Sequence, residues 1–366
     1  MSNLICYTKY TLLSLIKKLS YIILLCIPLI TNGQDIHFSQ TTRSFFQINP
    51  AFTGAFSGNV RAELNWKDQW QSINKSFRTY GASAQFSFGK GNPRMPLFFA
   101  LGAQAFKDVA GDVEIGNTTG GLTFSTFVKL SRNSYLSAGI QGNYGVTGLD
   151  PTKMQWGSQY NGLNFDPALT NGSGIEFQGF SYADVSAGVA YWYKKNDRNV
   201  IATAPQDAKL GFAIYHINRP NFTYSLDQSS ILKMRFVLHG SAIFRTNSEN
   251  LYWYPNMNIM VQGKQHEILM GCLIKYRLAA ASKSTGFKSE TAITAGVDLR
   301  VTNVLDAIIP QLYFDMYNFS VGISYDVNLS NLNQASFYRG GIELSLRFTN
   351  PDSYYHRNPF RRGISI

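Results

Sequence analysis

Phe319-Ser320-Val321-Gly322-Ile323-Ser324-Tyr325-Asp326-Val327-Asn328 carries an apolar side chain at each odd position and a small or polar one at each even position. An extended chain sends successive side chains to opposite faces, so this stretch reads as a strand with one oily and one wet face. The last such stretch repeats the pattern, with Ile342, Leu344, Leu346 and Phe348 set against Glu343, Ser345 and Arg347. Working back toward Val60, the same period predicts strands at 58–66, 77–88, 96–106, 118–130, 135–146, 182–194, 209–217, 233–244, 251–262, 266–278, 290–301, 308–316, 318–328 and 340–348. Segments of this length match the ~9–11 residues that a tilted strand needs to cross a bilayer. The expected fold is all-β, a transmembrane antiparallel β-barrel of about 14 strands, with 12–16 admitted.

The N-terminus agrees. Residues 1–33 hold Lys9, Lys17 and Lys18, no acid, and an apolar run from Leu19 to Ile30, followed by Thr31-Asn32-Gly33 before Gln34. That run is shorter than the ~20 residues of a spanning helix, so 1–33 reads as a cleaved secretory signal peptide. A lipoprotein reading of Cys26 is disfavoured by Leu25 before it and by the apolar sequence that continues past it. Removing the leader removes Cys6 and Cys26, and Cys272 alone cannot form an internal disulfide. With no later segment fit to cross as a helix, a membrane-bound mature chain must be a closed barrel.

Loss of three lysines lowers the net charge from +11 to +8. The basic residues are dispersed, apart from Arg357, Arg361 and Arg362, so a surface facing acidic lipid headgroups is favoured and nucleic acid is not expected. No linker, repeat array or low-complexity tract divides the chain. The expected layout is signal peptide 1–33, a periplasmic lead-in 34–57, the barrel 58–348 and a periplasmic tail 349–366.

If the first strand runs outward, odd-numbered connections lie outside. Several are long (107–117, 147–181, 218–232, 329–339), whereas even ones such as Ser131–Ser134, Arg245–Asn250 and the turn near Tyr317 are short. Connections 195–208, 279–289 and Lys264-Gln265 depart from that rule. Aromatics cluster near strand ends, at Trp66, Trp192-Tyr193, Tyr252 to Tyr254 and Tyr313-Phe314, as headgroup-level rings do. The competing reading is a soluble β-sandwich with ordinary core aromatics. The Gly, Ser, Gln and Asn content of the wet faces fits a crowded lumen better.

Asn49-Pro50 favours a turn, because proline moves the preceding residue away from helix. Phe45, Phe46 and Phe52 are candidate anchors that hold the lead-in against the periplasmic mouth or in the lumen; a disordered lead-in is the alternative. Arg61 and Glu63 on the first strand are expected near Glu343 and Arg347 on the last, where opposite charges help set the closing register. Gly139, Gly142, Gly145 and Gly148 change faces and read as easing strand curvature rather than cradling phosphate. His216 and His239 have no partner at metal-ligand spacing and read as structural. No nucleophile, phosphate-loop or dinucleotide motif is present in proper context, so neither enzymatic activity nor a cofactor is expected. Asp150-Pro151 and Asp166-Pro167 bracket a loop containing Trp156, Tyr160 and Phe165, which is a candidate docking surface or an infolded plug.

At the mature start the chain reads Gln34-Asp35-Ile36-His37-Phe38-Ser39-Gln40 and then Ile48-Asn49-Pro50-Ala51-Phe52-Thr53-Gly54. This resembles the opening of the PorP/SprF family of outer-membrane proteins, associated with the type IX secretion system of Bacteroidetes. Asn65-Trp66-Lys67-Asp68-Gln69-Trp70 resembles the family's first strand and its exit. Gly211-Phe212-Ala213-Ile214-Tyr215-His216-Ile217-Asn218-Arg219-Pro220 resembles its Tyr-His-x-x-x-Pro element, and His239-Gly240 and Tyr254-Pro255 fall at similar pairs. The closing Tyr325-Asp326-Val327-Asn328 and Arg339-Gly340-Gly341-Ile342-Glu343-Leu344-Ser345-Leu346 also match, while the tail past Phe348 departs from the pattern.

The resemblance implies export or surface retention of a secreted cargo protein such as a gliding adhesin. It also implies contact with periplasmic ring and motor components and with outer-membrane lipid. The candidate structural and interaction residues are Asn49, Pro50, Phe52, Gly54, Trp66, Trp70, Trp156, His216, Pro220, Asp326, Gly341 and Glu343. A porin-like channel for a small solute and a secreted soluble β-protein are the other functions considered.

Overall fold

The computed structural model describes residues 37–70, 76–90, 96–149, 153–169, 179–194, 205–223, 230–248, 250–279, 291–330 and 336–350. Alternating sequence folds into fourteen strands, in order β1 (Val60–Gln69), β2 (Phe77–Phe88), β3 (Leu97–Ala110), β4 (Ile115–Lys129), β5 (Ser134–Gly148), β6 (Phe180–Lys194) and β7 (Pro205–Tyr215). They continue as β8 (Arg235–Arg245), β9 (Leu251–Gln262), β10 (Gln265–Ala279), β11 (Thr291–Val301), β12 (Leu305–Met316), β13 (Phe319–Asn328) and β14 (Arg339–Asn350). Each pairs antiparallel with its chain neighbours, and β1 pairs with β14 from Val60↔Asn350 to Gln69↔Gly341, closing the barrel. Closure leaves no unpaired edge, which is the condition for strands to lie in hydrocarbon.

Burial is inverted relative to a soluble sandwich. Outward rows stay open: Leu122 is 71% exposed, Ile140 61% and Val321 52%. The intervening inward side chains, among them Gln85, Thr123, Gln141, Asp298, Asp326 and Glu343, are buried. An apolar girdle of this extent is a surface made for lipid, because soluble monomers expose patches of only a few hundred Å². No helix among the described residues is long and apolar enough to cross a membrane.

Strand ends differ from the sequence-based bounds by a few residues, and one difference matters. The predicted long connection 107–117 is a tight turn at 111–114, since pairing of β3 with β4 runs out to Ala110↔Ile115. The end at which β1 starts and β14 finishes is termed the entry end; the opposite, far end carries 149–179, 216–234 and 329–338 together with short turns at 111–114, 263–264 and 302–304. Length asymmetry therefore rests on a few large connections. The leader, residues 1–33, lies outside the described residues, as does 351–366 of the expected tail, whose first two residues instead complete β14.

Candidate functional site

The segment 37–56, expected as a periplasmic lead-in, lies inside the ring of strands. Its course runs from the far end to the entry end, opposite in direction to β1. At the far end Lys67 Nζ, on β1, donates to the His37 carbonyl at 3.1 Å, and His37 Nε2 lies 3.3 Å from Glu267 on β10. At the entry end Lys90, just after β2, donates to the carbonyls of Gly54 (2.9 Å), Phe56 and Gly58 (3.1 Å).

Between these ends the segment, here termed the strap, is held in two different ways. Its far half is gripped by charge and hydrogen bonds. Glu343 accepts two successive backbone amides, Ser39 N at 2.7 Å and Gln40 N at 3.1 Å. Ser39 Oγ donates to Asp326 Oδ1 at 3.0 Å and accepts from Arg300 at 2.6 Å, while Arg300 and Asp326 form a buried pair at 2.7 Å. Gln40 bonds Ser324, Ser345 and the Glu343 carbonyl. Arg43 meets both Asp315 oxygens, at 3.0 and 3.3 Å, and stacks on Tyr313 at 4.3 Å. Two tyrosine hydroxyls complete the grip, Tyr254 to the Thr42 carbonyl at 3.2 Å and Tyr215 to the Gln47 carbonyl at 3.1 Å.

The entry half is anchored by packing. Asn49 caps a 3₁₀ turn at Pro50–Phe52: its Oδ1 accepts from Ala51 N at 2.8 Å, and Pro50 supplies a preset φ at the first position. The same amide donates to the Val189 and Phe212 carbonyls on β6 and β7, at 3.2 and 3.3 Å. Ala51, Phe52 and Ala55 then join Phe98, Ala100, Phe127 and Trp192 in a buried apolar cluster. Phe52 also meets the His239 ring edge-on at 4.8 Å. Ser137 and Ser125 donate to the Ala51 and Thr53 carbonyls at 2.8 and 2.6 Å, and Gly54, at φ +87°, donates to Gln85 at 3.1 Å.

Gly139 makes this approach possible. A Cβ there would come within 2.5 Å of the Pro50 carbonyl carbon, so the glycine clears space for the strap. The side chains of Phe45 and Phe46, candidate anchors in the sequence, lie outside the described residues. A cavity of about 10 Å³, room for about one water, sits between strap and seam beside Arg43, Glu63, Asn65 and Arg347.

Other candidates are dispersed. Asp326 and Glu343 meet at Ser39, and Gly341 pairs with Gln69 at the far end of the seam. Trp66 pairs across to Leu344 and Tyr80; Trp70, at φ +59°, donates its amide to Gly340 O at 2.7 Å and meets Phe77 edge-on. His216, at φ +57°, lies 2.9 Å from Asp184, and the Pro220 carbonyl accepts from Leu232 N at 2.9 Å. Trp156 precedes a 3₁₀ turn, Gly157–Gln159, in the long far-end connection, and its backbone amide donates to Gln159 Oε1 at 3.1 Å.

The seam expectation needs one correction. Glu63 pairs with Arg347 at 2.8 Å, and Arg61 lies 4.0 Å from Glu63. Glu343, however, sits four positions along the register, opposite Lys67, and its carboxylate is taken by the strap rather than by Arg61. Sequence reasoning missed Lys67, Arg300, Glu267, Asp315 and Tyr254 as strap contacts. Their inward parity was readable; their convergence on one segment was not. Among the described residues no group of three His, Cys, Asp or Glu stands close enough to hold a metal ion.

A closed fourteen-strand barrel with an apolar exterior and a polar, filled bore defines an outer-membrane β-barrel protein. Within that class the chain belongs to the family of type IX secretion system membrane proteins PorP/SprF, which it matches over residues 30–348. No sequence among curated proteins matches it.

Among solved structures it is similar to the Ralstonia pickettii toluene transporter TbuX (10% identity, 82% of this chain and 90% of that one, TM-score 0.43). It is also similar to a Pseudomonas aeruginosa FadL homologue (13%, 82% and 92%, 0.44) and to Haemophilus ducreyi BamA lacking POTRA domains 1–3 (9%, 80% and 70%, 0.38).

Proposed function

We propose that this chain is a non-enzymatic outer-membrane component of the type IX secretion system that supports export or surface anchoring of a cargo protein such as a gliding adhesin. Family membership supports the system, and the barrel supports the location. The observation that favours anchoring over solute transport is the filled bore. Strap residues bond β1, β2, β4 to β7 and β9 to β14, and Phe98, Ala100 and His239 pack it against β3 and β8.

In this reading the leader is cleaved, the entry end faces the periplasm and its ring and motor components, and the far end faces outward. The far-end connection then offers cargo an exposed apolar surface, with Leu163 84% and Tyr160 58% exposed. Its inner part is ordered by a Tyr160↔Phe165 bridge, and Lys153 ties it to Glu114 at 2.7 Å. Aromatic and aliphatic side chains on a held loop are the usual anchors of a protein interface.

Deletion followed by a surface-protein inventory tests the proposal. Loss of one secreted or surface-held protein is the expected result. Intact surface proteins with lost uptake of a small solute would replace it with the channel reading.

A further inference from the structure

Among the described residues the strap runs on into the strands through 57–59 and β1, and with the leader cleaved, as proposed above, its far half can leave the bore without breaking any described strand pair. The apolar cluster that fixes residues 51–55 lies in the other half. What holds 37–43 is chiefly polar and readable as a recognition code. Glu343 and Lys67 take main-chain atoms at 37, 39 and 40, and Tyr254 takes the one at 42. Paired Asp326 and Arg300 read a hydroxyl at 39, the Ser324–Ser345 pair reads a carboxamide at 40, and Asp315 reads a cation at 43.

Main-chain hydrogen bonds combined with a few side-chain pockets are how proteins bind peptides, and residues 39–43 present theirs on a turn, Thr41 N donating to the Ser39 carbonyl at 3.0 Å and Arg43 N to the Gln40 carbonyl at 3.1 Å. The wall here brings four carboxylates, Glu267, Asp315, Asp326 and Glu343, against two cations, Lys67 and Arg300, so its complement is a basic segment.

We propose that residues 37–43 are a displaceable latch, and that the groove they fill is a receptor for a basic, turn-forming polypeptide segment of a partner. That partner segment presents a hydroxyl, a carboxamide and a cation at positions i, i+1 and i+4. The latch keeps the groove closed until such a segment competes for it. Identifying the physiological occupant as a secreted polypeptide rests on the export role proposed above; the groove itself does not.

A labelled synthetic peptide reproducing residues 37–49, titrated into the detergent-purified full chain, tests the receptor. Ser39→Ala with Arg43→Ala weakens the latch and leaves the wall unchanged. The peptide is expected to bind this variant at least tenfold more tightly than the unaltered chain. Adding Glu343→Gln to the wall, or a glutamate in place of the peptide's arginine, is expected to reverse the gain. If the double variant does not fold, Ser39→Ala alone carries the same comparison. Binding no tighter than to the unaltered chain, in a variant that keeps heat-modifiable gel mobility, overturns the proposal, as does equal binding of a scrambled peptide. No cargo or secretion component enters the titration, so its failure removes the receptor and leaves the export role to the deletion experiment.

Discussion

Glu63 and Arg347 are register partners across the strand pair that closes the barrel, and their carboxylate and guanidinium meet at 2.8 Å inside the bore. Facing inward, they avoid the cost of charge in lipid. Removing one partner of a buried pair leaves an uncompensated charge, at about 3–5 kcal/mol. Glu63→Arg is therefore expected to lower the folded fraction recovered in membranes, and Glu63→Arg with Arg347→Glu to restore much of it. A coupling of about 0.5–3 kcal/mol is the expected range for residues in contact. Absence of any recovery in the double variant would show that the pair does not set the register.

Asn49 serves two structures at once, capping the turn of the strap and bonding two strand carbonyls. Asn49→Ala is expected to destabilise by about 1–2 kcal/mol, the worth of a cap together with buried bonds. Asn49→Asp keeps the cap acceptor but turns a carboxylate toward the carbonyls of Val189 and Phe212, so it should cost at least as much. Urea unfolding followed by tryptophan fluorescence measures both variants; an Asp variant as stable as Asn would refute the two-sided role.

Much of this molecule was legible before its structure. Period-two alternation located all fourteen strands because lipid and lumen impose opposite demands on adjacent residues, a signal that needs no knowledge of partners. It also placed Glu63 and Arg347 on the same wet face near the ends of the first and last strands. Alternation carries no information about what fills the bore. Residues 37–56 lack any repeating pattern, and the grip on Ser39 comes from Glu343, Asp326 and Arg300, which lie 261 to 304 residues away in the chain. The bounds of β3 and β4 failed for a local reason: Lys107, Asp108, Gly116 and Asn117 look like loop, yet their backbones pair as strand.

Gly139 offers a way to disturb the strap from the wall. Gly139→Val puts a branched side chain against Pro50 and Ala51, whereas a Cβ at Gly142 would meet nothing within 4 Å. Trypsin cleavage after Arg43 is expected to accelerate at least tenfold in Gly139→Val and to stay unchanged in Gly142→Val, with sheet content equal by circular dichroism. Equal cleavage in both would mean that the close approach at Gly139 does not hold the strap.

Orientation has its own test. The His37 side chain is 21% exposed at the far end. With Cys272, the described free thiol on β10, changed to alanine, His37→Cys is expected to react with a membrane-impermeant maleimide on intact cells. Labelling only after the periplasm is opened would place the far end inside and reverse the assignment of both mouths.

Limited proteolysis of the purified, unaltered barrel reads most directly whether the bore holds its own N-terminal segment. Arg43 is buried against Asp315 and Tyr313, so the Arg43–Ser44 bond should survive trypsin for as long as the barrel keeps its heat-modifiable mobility. Rapid trimming of the chain to about residue 57 from a barrel that stays folded would contradict it.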